Sequence, residues 1–404
     1  MALPVETNKL LIYRNDLQAG VLYRTDTGCS FEFSEQFLAA PQYEGLSFCM
    51  KKAFRTLIVS GNNLHPFFAG LLPEGKRLNA LRSVLKTSAD DMFSLFAAAG
   101  TNVIGDVHSA TSEHASPLPG SPPALKKIDF YEYFSTLLAT NSYANGEDSL
   151  AGVQEKISGS MISFPLNIAS AKNSFILKLN PADRHNLVCN ELHSMELAQK
   201  CGLKVAKVKL IHDRNRNQGL LVQRFDREYN ETSKRIMMHH QEDACQFLDK
   251  YPADKYRISL NEIAVGIRNL SSAPEIMILK LLQLYCFSYL LCNGDLHAKN
   301  ISLITRAQSS MVELTPAYDL ICTLIYGDQT MALKIDGRND NIRRATILHF
   351  AKRFGVPEAA THQMLDKLLQ NFCKNRNILE KIPMTDKQRS FLQKTMEKRT
   401  RDLV

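Results

Sequence analysis

The sequence predicts an α+β protein of two lobes, with a β-rich N-terminal part that includes an extra small subdomain and an all-helical C-terminal lobe. Three observations predict it. Short apolar runs bounded by turn residues open the chain and recur at residues 160–164, 174–179, 204–212 and 219–223. From Glu242 onward, longer segments of helical period take over. Between them, residues 108–124 are dominated by Ser, Thr and Pro, and apolar periodicity disappears, which marks a boundary or a loop. The expected division is therefore a first subdomain over residues 1–107, a linker over 108–124, an N-terminal lobe over 125–223 and a helical lobe over 224–404.

Composition sets the outer limits. The 404 residues are 45% hydrophobic and 22% charged, as in an ordinary globular protein able to bury a large core. The net charge of +8 permits contact with nucleic acid without requiring it, and a solvated cationic surface accounts for it equally well. Nine cysteines are scattered without a C-x-x-C pair, which reads as free buried thiols in a reducing cytoplasm and no Cys/His metal centre. The amino terminus lacks a basic region followed by an apolar run, so no signal peptide is expected. The most apolar stretch, residues 276–292, includes Lys280 and Gln283 and is short for a membrane span, so it reads as a core helix and no membrane contact is expected.

Taken in order, residues 9–13 read as a strand, Arg14-Asn15-Asp16 as a turn, and residues 21–24 and 30–33 as the next strands. The run Pro66 to Gly75 mixes aromatic and turn residues, as a structured loop or short helix would. A helix is expected over residues 89–99, with Ser88 as its cap, Asp91 completing a capping box and Gly100 as its stop. Strands follow at 160–164 and 174–179. The second carries Lys178, which either snorkels to solvent from an edge or holds phosphates. Residues 190–201 form a helix ended by Gly202. Its Glu191 is either the partner of Lys178 or a solvated surface acid. Residues 204–212 and 219–223 read as a hairpin. Gln223-Arg224-Phe225 then crosses between the lobes, where backbone groups could meet an adenine edge. Helices are expected at 260–269, 274–292, 340–354, 357–372 and 385–401, with Pro274 in a first turn and the basic final helix read as a solvated face.

The stretch with the most chemistry is Asn293-Gly294-Asp295-Leu296-His297-Ala298-Lys299-Asn300, which follows the long apolar run abruptly. Asp295 and Asn300 stand five apart, and a second acid follows in Thr315-Pro316-Ala317-Tyr318-Asp319-Leu320. A phosphotransferase uses one Asp to accept the proton of the attacking hydroxyl, an Asn on metal, and a later Asp on metal against the nucleotide phosphates. The spacing alone arises by chance about once in a chain of this length. The preceding buried helix, the adjacent Gly294 and the second acid raise its weight. The bland reading is a helix C-terminus stopped by Asn-Gly, with Asp295 capping the next turn. Upstream, Ser149 to Ser158 is small and polar with Gly152 at its centre, as a phosphate-receiving loop would be.

The order of these parts, from glycine-containing loop to strand Lys, helix Glu and Asp-x-x-x-x-Asn with a later Asp, is a protein-kinase-like two-lobed layout. The wording resembles a narrower family, the HipA toxins of bacterial type II toxin–antitoxin modules. The matching segments include Phe68-Ala69-Gly70-Leu71-Leu72-Pro73-Glu74-Gly75, Ser149-Leu150-Ala151-Gly152-Val153-Gln154-Glu155-Lys156, Phe175-Ile176-Leu177-Lys178-Leu179, Val222-Gln223-Arg224-Phe225-Asp226-Arg227, Gln241-Glu242-Asp243-Ala244-Cys245-Gln246 and Asn293 to Asn300. They fall in the family's order and span about residues 8–325.

The resemblance implies an ATP- and Mg²⁺-dependent serine/threonine protein kinase that arrests growth. Carried over by position, Asp295 is the catalytic base, and Asn300 and Asp319 hold Mg²⁺. Lys178 holds ATP phosphates, and Ala151, Gly152, Val153, Gln154, Glu155 and Lys156 form the phosphate loop. Gln223, Arg224 and Phe225 form the adenine-facing hinge, while His297, Ala298, Lys299 and Tyr318 border the nucleotide. Ser149 matches an autophosphorylated serine. A phosphate there adds roughly −1.5 to −2 charge beside the loop that receives ATP, and inactivation is expected. The family implies aminoacyl-tRNA synthetase substrates, with glutamyl-tRNA synthetase foremost. It also implies a HipB-type helix-turn-helix antitoxin and operator DNA as partners. The glycine loop departs from G-x-G-x-x-G, His297 stands where common eukaryotic kinases have Lys, and Leu320 follows Asp319 in place of Phe-Gly. Two other readings compete: a small-molecule phosphotransferase of aminoglycoside-kinase type, and a catalytically silent regulator that binds antitoxin and DNA. The opening β subdomain and the Ser149 loop argue against the first. The intact Lys178, Asp295, Asn300 and Asp319 argue against the second.

Overall fold

The computed structural model describes residues 8–61, 63–100, 102–110, 125–141, 161–167, 174–181, 186–307 and 309–404. The expected phosphate loop, residues 151–156, and Ser149 lie outside the described residues. The chain forms two units. One comprises Met1–His185, Leu210–Glu242 and Asp249–Pro252, the other Asn186–Lys209, Asp243–Leu248 and Ala253–Val404.

The first unit contains two antiparallel sheets. The N-terminal sheet holds β1 (Lys9–Arg14), β2 (Leu17–Thr25), β3 (Gly28–Phe33), β4 (Thr56–Ser60) and β5 (Val107–Ala110), in the order β4-β3-β2-β1-β5. In β3 the alternation is plain: Cys29, Phe31 and Phe33 are buried, while Glu32 faces out. The β1–β2 turn is tight because Asn15 takes a left-handed conformation (φ 52°), which short polar side chains tolerate. Three short helices cover this sheet: α1 (Glu35–Ala39), α2 (Pro66–Leu71) and, after α3 (Gly75–Leu85), α4 (Met92–Ala99). Their rings meet those of the strands, Phe68 lying 5.6 Å from Phe31 and 5.4 Å from Phe96. The run beginning at Pro66 is thus helical, with Pro66 in the first turn, where its missing N–H costs nothing. The following helix starts later than expected. Its cap is Asp91, whose Oδ1 accepts from the Ser94 N–H at 3.2 Å, and not Ser88. A carboxylate is favoured there by the helix dipole, and Arg24 fixes it at 2.7 Å.

The second sheet runs β6 (Ile162–Asn167), β7 (Ser174–Leu179), β9 (Gln218–Gln223), β8 (Val208–His212). α3 and α5 (Phe130–Asn141) supply Ala80, Val84, Phe130 and Phe134 to a core shared with Ile162, Phe164, Leu177, Leu179 and Leu221. Lys178 alternates with Leu177 and Leu179 on the central strand β7, between Ser163 of β6 and Leu220 of β9. It is 8% exposed, so the solvent-snorkelling reading fails: β7 is an interior strand and not an edge. A hairpin of β10 (Arg227–Asn230) and β11 (Arg235–Met238) also belongs to this unit.

Two buried charge networks tie the first unit together. Asp226 accepts from Arg224 and Arg227 and from the Gly105 N–H. His240 sits between Asp106 and Glu242, each 2.7 Å from a ring nitrogen, with Arg14 on the far oxygen of Asp106.

The second unit is mainly helical. It holds α6 (Leu187–Lys200), the helical turn α7 (Ala244–Phe247), α8 (Leu260–Leu270), α9 (Pro274–Leu291), α10 (Arg344–Arg353), α11 (Glu358–Asn375) and α12 (Asp386–Leu403). Ser259 with Glu262 and Thr385 with Gln388 form capping boxes at α8 and α12. Pro274 occupies the first turn of α9, as expected. Among the described residues, α9 is the one helix long and apolar enough to cross a membrane. It is mostly buried inside the unit, packed by α8, α10, α11 and α12, and is a core helix. The unit carries in addition two short paired strands, Ser302–Thr305 and Val312–Leu314. They form where Leu303 pairs with Leu314 and Thr305 with Val312, a brief period-two pattern just after the acidic loop.

Candidate active site

The site in the second unit starts at the end of α9. Cys292 takes a left-handed conformation (φ 61°), and its N–H returns to the helix carbonyls of Ser288 and Tyr289. The stop signal read at Asn-Gly therefore lies one residue beyond the true stop. Asn293 is fully buried and does a different job: its Oδ1 accepts the N–H of Asp295 at 3.0 Å. Gly294 donates its N–H to Thr323 Oγ1 at 2.7 Å, and a Cβ in its place would lie 2.7 Å from the Thr330 carbonyl oxygen. Close approach of backbone explains the glycine beside the acid.

The five-residue spacing has a direct physical basis. The Asn300 Nδ2 donates to the carbonyl oxygen of Asp295 at 3.0 Å, and the His297 N–H donates to the same oxygen at 2.8 Å. The loop is thus cross-braced, and the carbonyl end of the Asn300 amide remains available as a hard oxygen donor. The Asp295 carboxylate is half-buried, and its Oδ1 accepts from the Tyr256 hydroxyl at 2.8 Å. The His297 ring is buried, with its centroid 5.1 Å from that of Tyr256, edge to face. Ala298 is fully buried. Lys299 forms a 2.9 Å ion pair with Asp243, the cap of α7.

The second acid is held by its own framework. Ala317 donates its N–H to the Lys204 carbonyl and accepts from the Ala206 N–H, a short parallel bridge at Val205. The Tyr318 hydroxyl donates to the Lys299 carbonyl at 2.7 Å and lies 2.6 Å from Ser302 Oγ, which joins the two acid-bearing segments. Burial pushes its phenol well above the usual range. Asp319 itself takes a left-handed conformation (φ 55°), which its short polar side chain tolerates as that of Asn15 does. Beyond it, Cys322 is gripped by Asn190 of α6. Glu191, next to Asn190, is fully buried, so the reading of a solvated surface acid fails.

The remaining site residues belong to the first unit. Lys178 is on β7, as described. Gln223 and Phe225 are half-buried. The Arg224 N–H donates to the Ser174 carbonyl at 2.9 Å, and its guanidinium is spent on Asp226, Asn102 and the Val103 carbonyl. Its side chain is structural, whatever its backbone does.

The donor set fits Mg²⁺. Asn300 and Asp319 offer hard oxygens. Among the described residues no group of three or more His, Cys, Asp or Glu is placed to hold a metal unaided. Magnesium suits such a sparse site, because it completes its octahedron with phosphates and water. Sequence reasoning missed Tyr256, Asn190 and Asp243. Asn190 left a faint signal, a carboxamide among the apolar positions of a helix. Tyr256 left none.

Residues 10–110 match the HipA N-terminal domain family, and residues 148–376 match the HipA-like C-terminal domain family. The chain belongs to the HipA family. It is 30% identical over 324 residues to the putative kinase Y4mE of Sinorhizobium fredii, covering 76% of each chain. It is 28% identical over 326 residues to the serine/threonine-protein kinase toxin HipA of Shewanella oneidensis, covering 74% of this chain and 73% of that one. Among solved structures, the fold is shared with the Shewanella oneidensis HipA in complex with HipB and its operator DNA, at TM-score 0.70 and 22% identity, over 97% of this chain and 96% of the other. The α+β, kinase-like fold expected from the sequence is the observed one. This HipA-like protein is a serine/threonine kinase and, as a kinase, uses ATP.

Proposed function

We propose that this HipA-family kinase transfers the γ-phosphoryl group of ATP to a serine or threonine hydroxyl of a protein, with Asp295 as the general base. The observation that carries the reading is the braced loop: the Asn300 amide and the His297 N–H both hold the Asp295 carbonyl, which leaves the Asp295 carboxylate projecting as the reactive group. Asp295 accepts the hydroxyl proton as the new oxygen–phosphorus bond forms and the bond to the leaving ADP breaks. Asn300 and Asp319 are the residues that hold Mg²⁺, which when bound neutralises phosphate charge. Lys178 and the loop of residues 151–156 hold the phosphates, residues 223–225 meet the adenine, and His297, Ala298, Lys299 and Tyr318 border the nucleotide through backbone and loop shape. The working division is a subdomain expected over residues 1–107 and carried on to Ala110 by β5, a linker over the remainder of 108–124, an N-terminal lobe over 125–223 and a C-terminal lobe over 224–404.

The acceptor is an aminoacyl-tRNA synthetase, glutamyl-tRNA synthetase first, and phosphorylation of Ser149 is the off-switch. A HipB-type antitoxin with operator DNA restrains the kinase in the cytoplasm. Support for that partnership is the named assembly of the Shewanella oneidensis relative. The test is incubation of freshly dephosphorylated protein with Mg²⁺ and γ-labelled ATP beside Asp295→Asn, with the labelled site mapped, followed by a panel of synthetases. Label on Ser149 in the wild type alone is expected. No transfer to protein, with ATP consumed on small hydroxylated acceptors instead, would replace this reading with a small-molecule kinase.

A further inference from the structure

We propose that Tyr256 is a positioning residue for phosphoryl transfer: its hydroxyl fixes Oδ1 of Asp295 and so presents Oδ2 to the acceptor hydroxyl. The inference rests on the reading of Asp295 as the base. An aspartate carboxylate turns easily about its last torsion, which has no sharp staggered minima. A base that rotates freely spends much of its time misaimed, and misplacement on the scale of an ångström costs roughly 100-fold in rate. Something must therefore hold the plane of the carboxylate.

Within the second unit, Tyr256 is placed to do this. Its hydroxyl is 2.8 Å from Oδ1 and donates to it, a hydrogen bond of ordinary length to a charged acceptor. The backbone beside it is tied to the same loop, since the Ala298 N–H donates to the Lys255 carbonyl at 3.1 Å. The ring leans edge-on against His297, at 5.1 Å. Tyr256 is thus referenced to the loop at two points besides the bond to the acid. Core packing does not explain the residue: it is 53% exposed, among the large hydrophobic side chains that the fold leaves outside. Lys299 on the same loop is engaged elsewhere, in its ion pair with Asp243. What remains is a half-exposed phenol whose polar end meets the one carboxylate to which the chemistry is assigned.

The test uses the full-length, dephosphorylated chain with Mg²⁺ and γ-labelled ATP, and follows the rate of self-labelling across ATP concentrations. Four proteins are compared: wild type, Tyr256→Phe, a chain with 4-aminophenylalanine at position 256, and Asp295→Asn. Tyr256→Phe keeps the ring and loses the donor. The expected result is a maximal rate about 10-fold lower or worse, with the ATP concentration for half-maximal rate and the thermal midpoint unchanged. The aminophenylalanine chain, which regains an N–H donor, recovers most of the rate. Three results would overturn the proposal: Tyr256→Phe as fast as wild type, a loss that follows the thermal midpoint or ATP affinity, or a faster Tyr256→Phe, which would make the phenol an obstruction. Asp295→Asn separates the two ideas. If it keeps the wild-type rate, the assignment of the base fails. If it is inactive while Tyr256→Phe is unaffected, only the role of Tyr256 fails.

Discussion

The carboxamide of Asn190 brackets the backbone of Cys322: its Nδ2 donates to the carbonyl at 3.0 Å and its Oδ1 accepts the N–H at 2.9 Å. The pair copies the hydrogen bonding of a strand neighbour, supplied by a side chain from α6. Ser194, one turn on, donates to the same Oδ1 at 3.1 Å and fixes the amide orientation. The bracket sits three residues after Asp319, so it sets where the second acid can be.

Asn190→Ala strands a buried N–H and a buried carbonyl. Leaving such groups unmade costs about 1–3 kcal/mol each, so a loss of roughly 3 kcal/mol is expected. Urea unfolding of the two proteins measures it, and an unchanged midpoint would remove the bracket from the list of stabilising contacts.

Gly294→Ala tests the approach of backbone to the loop from Asn293 to Asn300. The added methyl meets the Thr330 carbonyl at 2.7 Å, closer than carbon and oxygen tolerate, and Thr323 Oγ1 at 3.0 Å. Overpacking of this kind costs about 1–3 kcal/mol. The loop yields before the core does, so kinase activity should fall more steeply than thermal stability. Activity retained alongside a lowered thermal midpoint would show that the loop absorbs the methyl elsewhere.

Asp226→Asn removes the anion between two guanidinium groups. Burial raises the Asp226 carboxyl, but Arg224 and Arg227 outweigh it and hold the group well below its ordinary value of 3.8. The stability it contributes is present above that ordinary value and is lost as pH falls through the depressed one. The amide leaves Arg224 and Arg227 buried without their charge partner, at a cost of roughly 4 kcal/mol near neutral pH. Unfolding free energies at pH 7 and pH 3 should differ less in the variant than in the wild type, and equal differences would sink the account.

His240 gives the opposite slope. Burial and the Arg14 charge pull its pKa down, but Asp106 and hydrogen bonds with both Asp106 and Glu242 lift it above the ordinary 6.5. A raised imidazole contributes stability fully below 6.5 and loses it as pH climbs through the folded value. His240→Gln should be less stable by roughly 3 kcal/mol at pH 6, with the gap narrowing at pH 9. A gap that stays constant between those pH values would mean that the ring is neutral in the folded protein.

Strands β1 to β3 and β6 to β9 and most helices were legible because their signals are local, as in the alternation of β3 and Pro274 at the head of α9, whereas the short strands β4, β5, β10 and β11 and the pair after the acidic loop gave too few residues to show a period. The loop from Asn293 to Asn300 was legible for the same reason, since its bracing bonds run between residues two to five apart. What escaped came from distance. Asp91 displaced Ser88 as a cap because Arg24, 67 residues earlier, holds its carboxylate. Asn190 meets Cys322 across 132 residues, and Tyr256 meets Asp295 across 39, contacts that no spacing announces. Lys178 looked ambiguous until β6 and β9 were seen on either side of β7, since interior and edge strands share one sequence pattern.

Two thiols flank the segment from Asn293 to Asp319, and both are closed off: Cys292 is 1% exposed and Cys322 fully buried. Burial pushes the Cys292 thiol up to about 11 and that of Cys322 higher, so neither carries the negative sulfur that alkylating reagents attack. The Thr323 N–H donates to the Cys292 carbonyl and keeps the two strands of chain together. A reagent can reach these sulfurs only in moments when the loop parts from its supports. The molecule therefore contains its own stopwatch: Cys373, which is exposed, takes up label at once, and the delay before Cys292 and Cys322 follow measures how often the loop after α9 breathes.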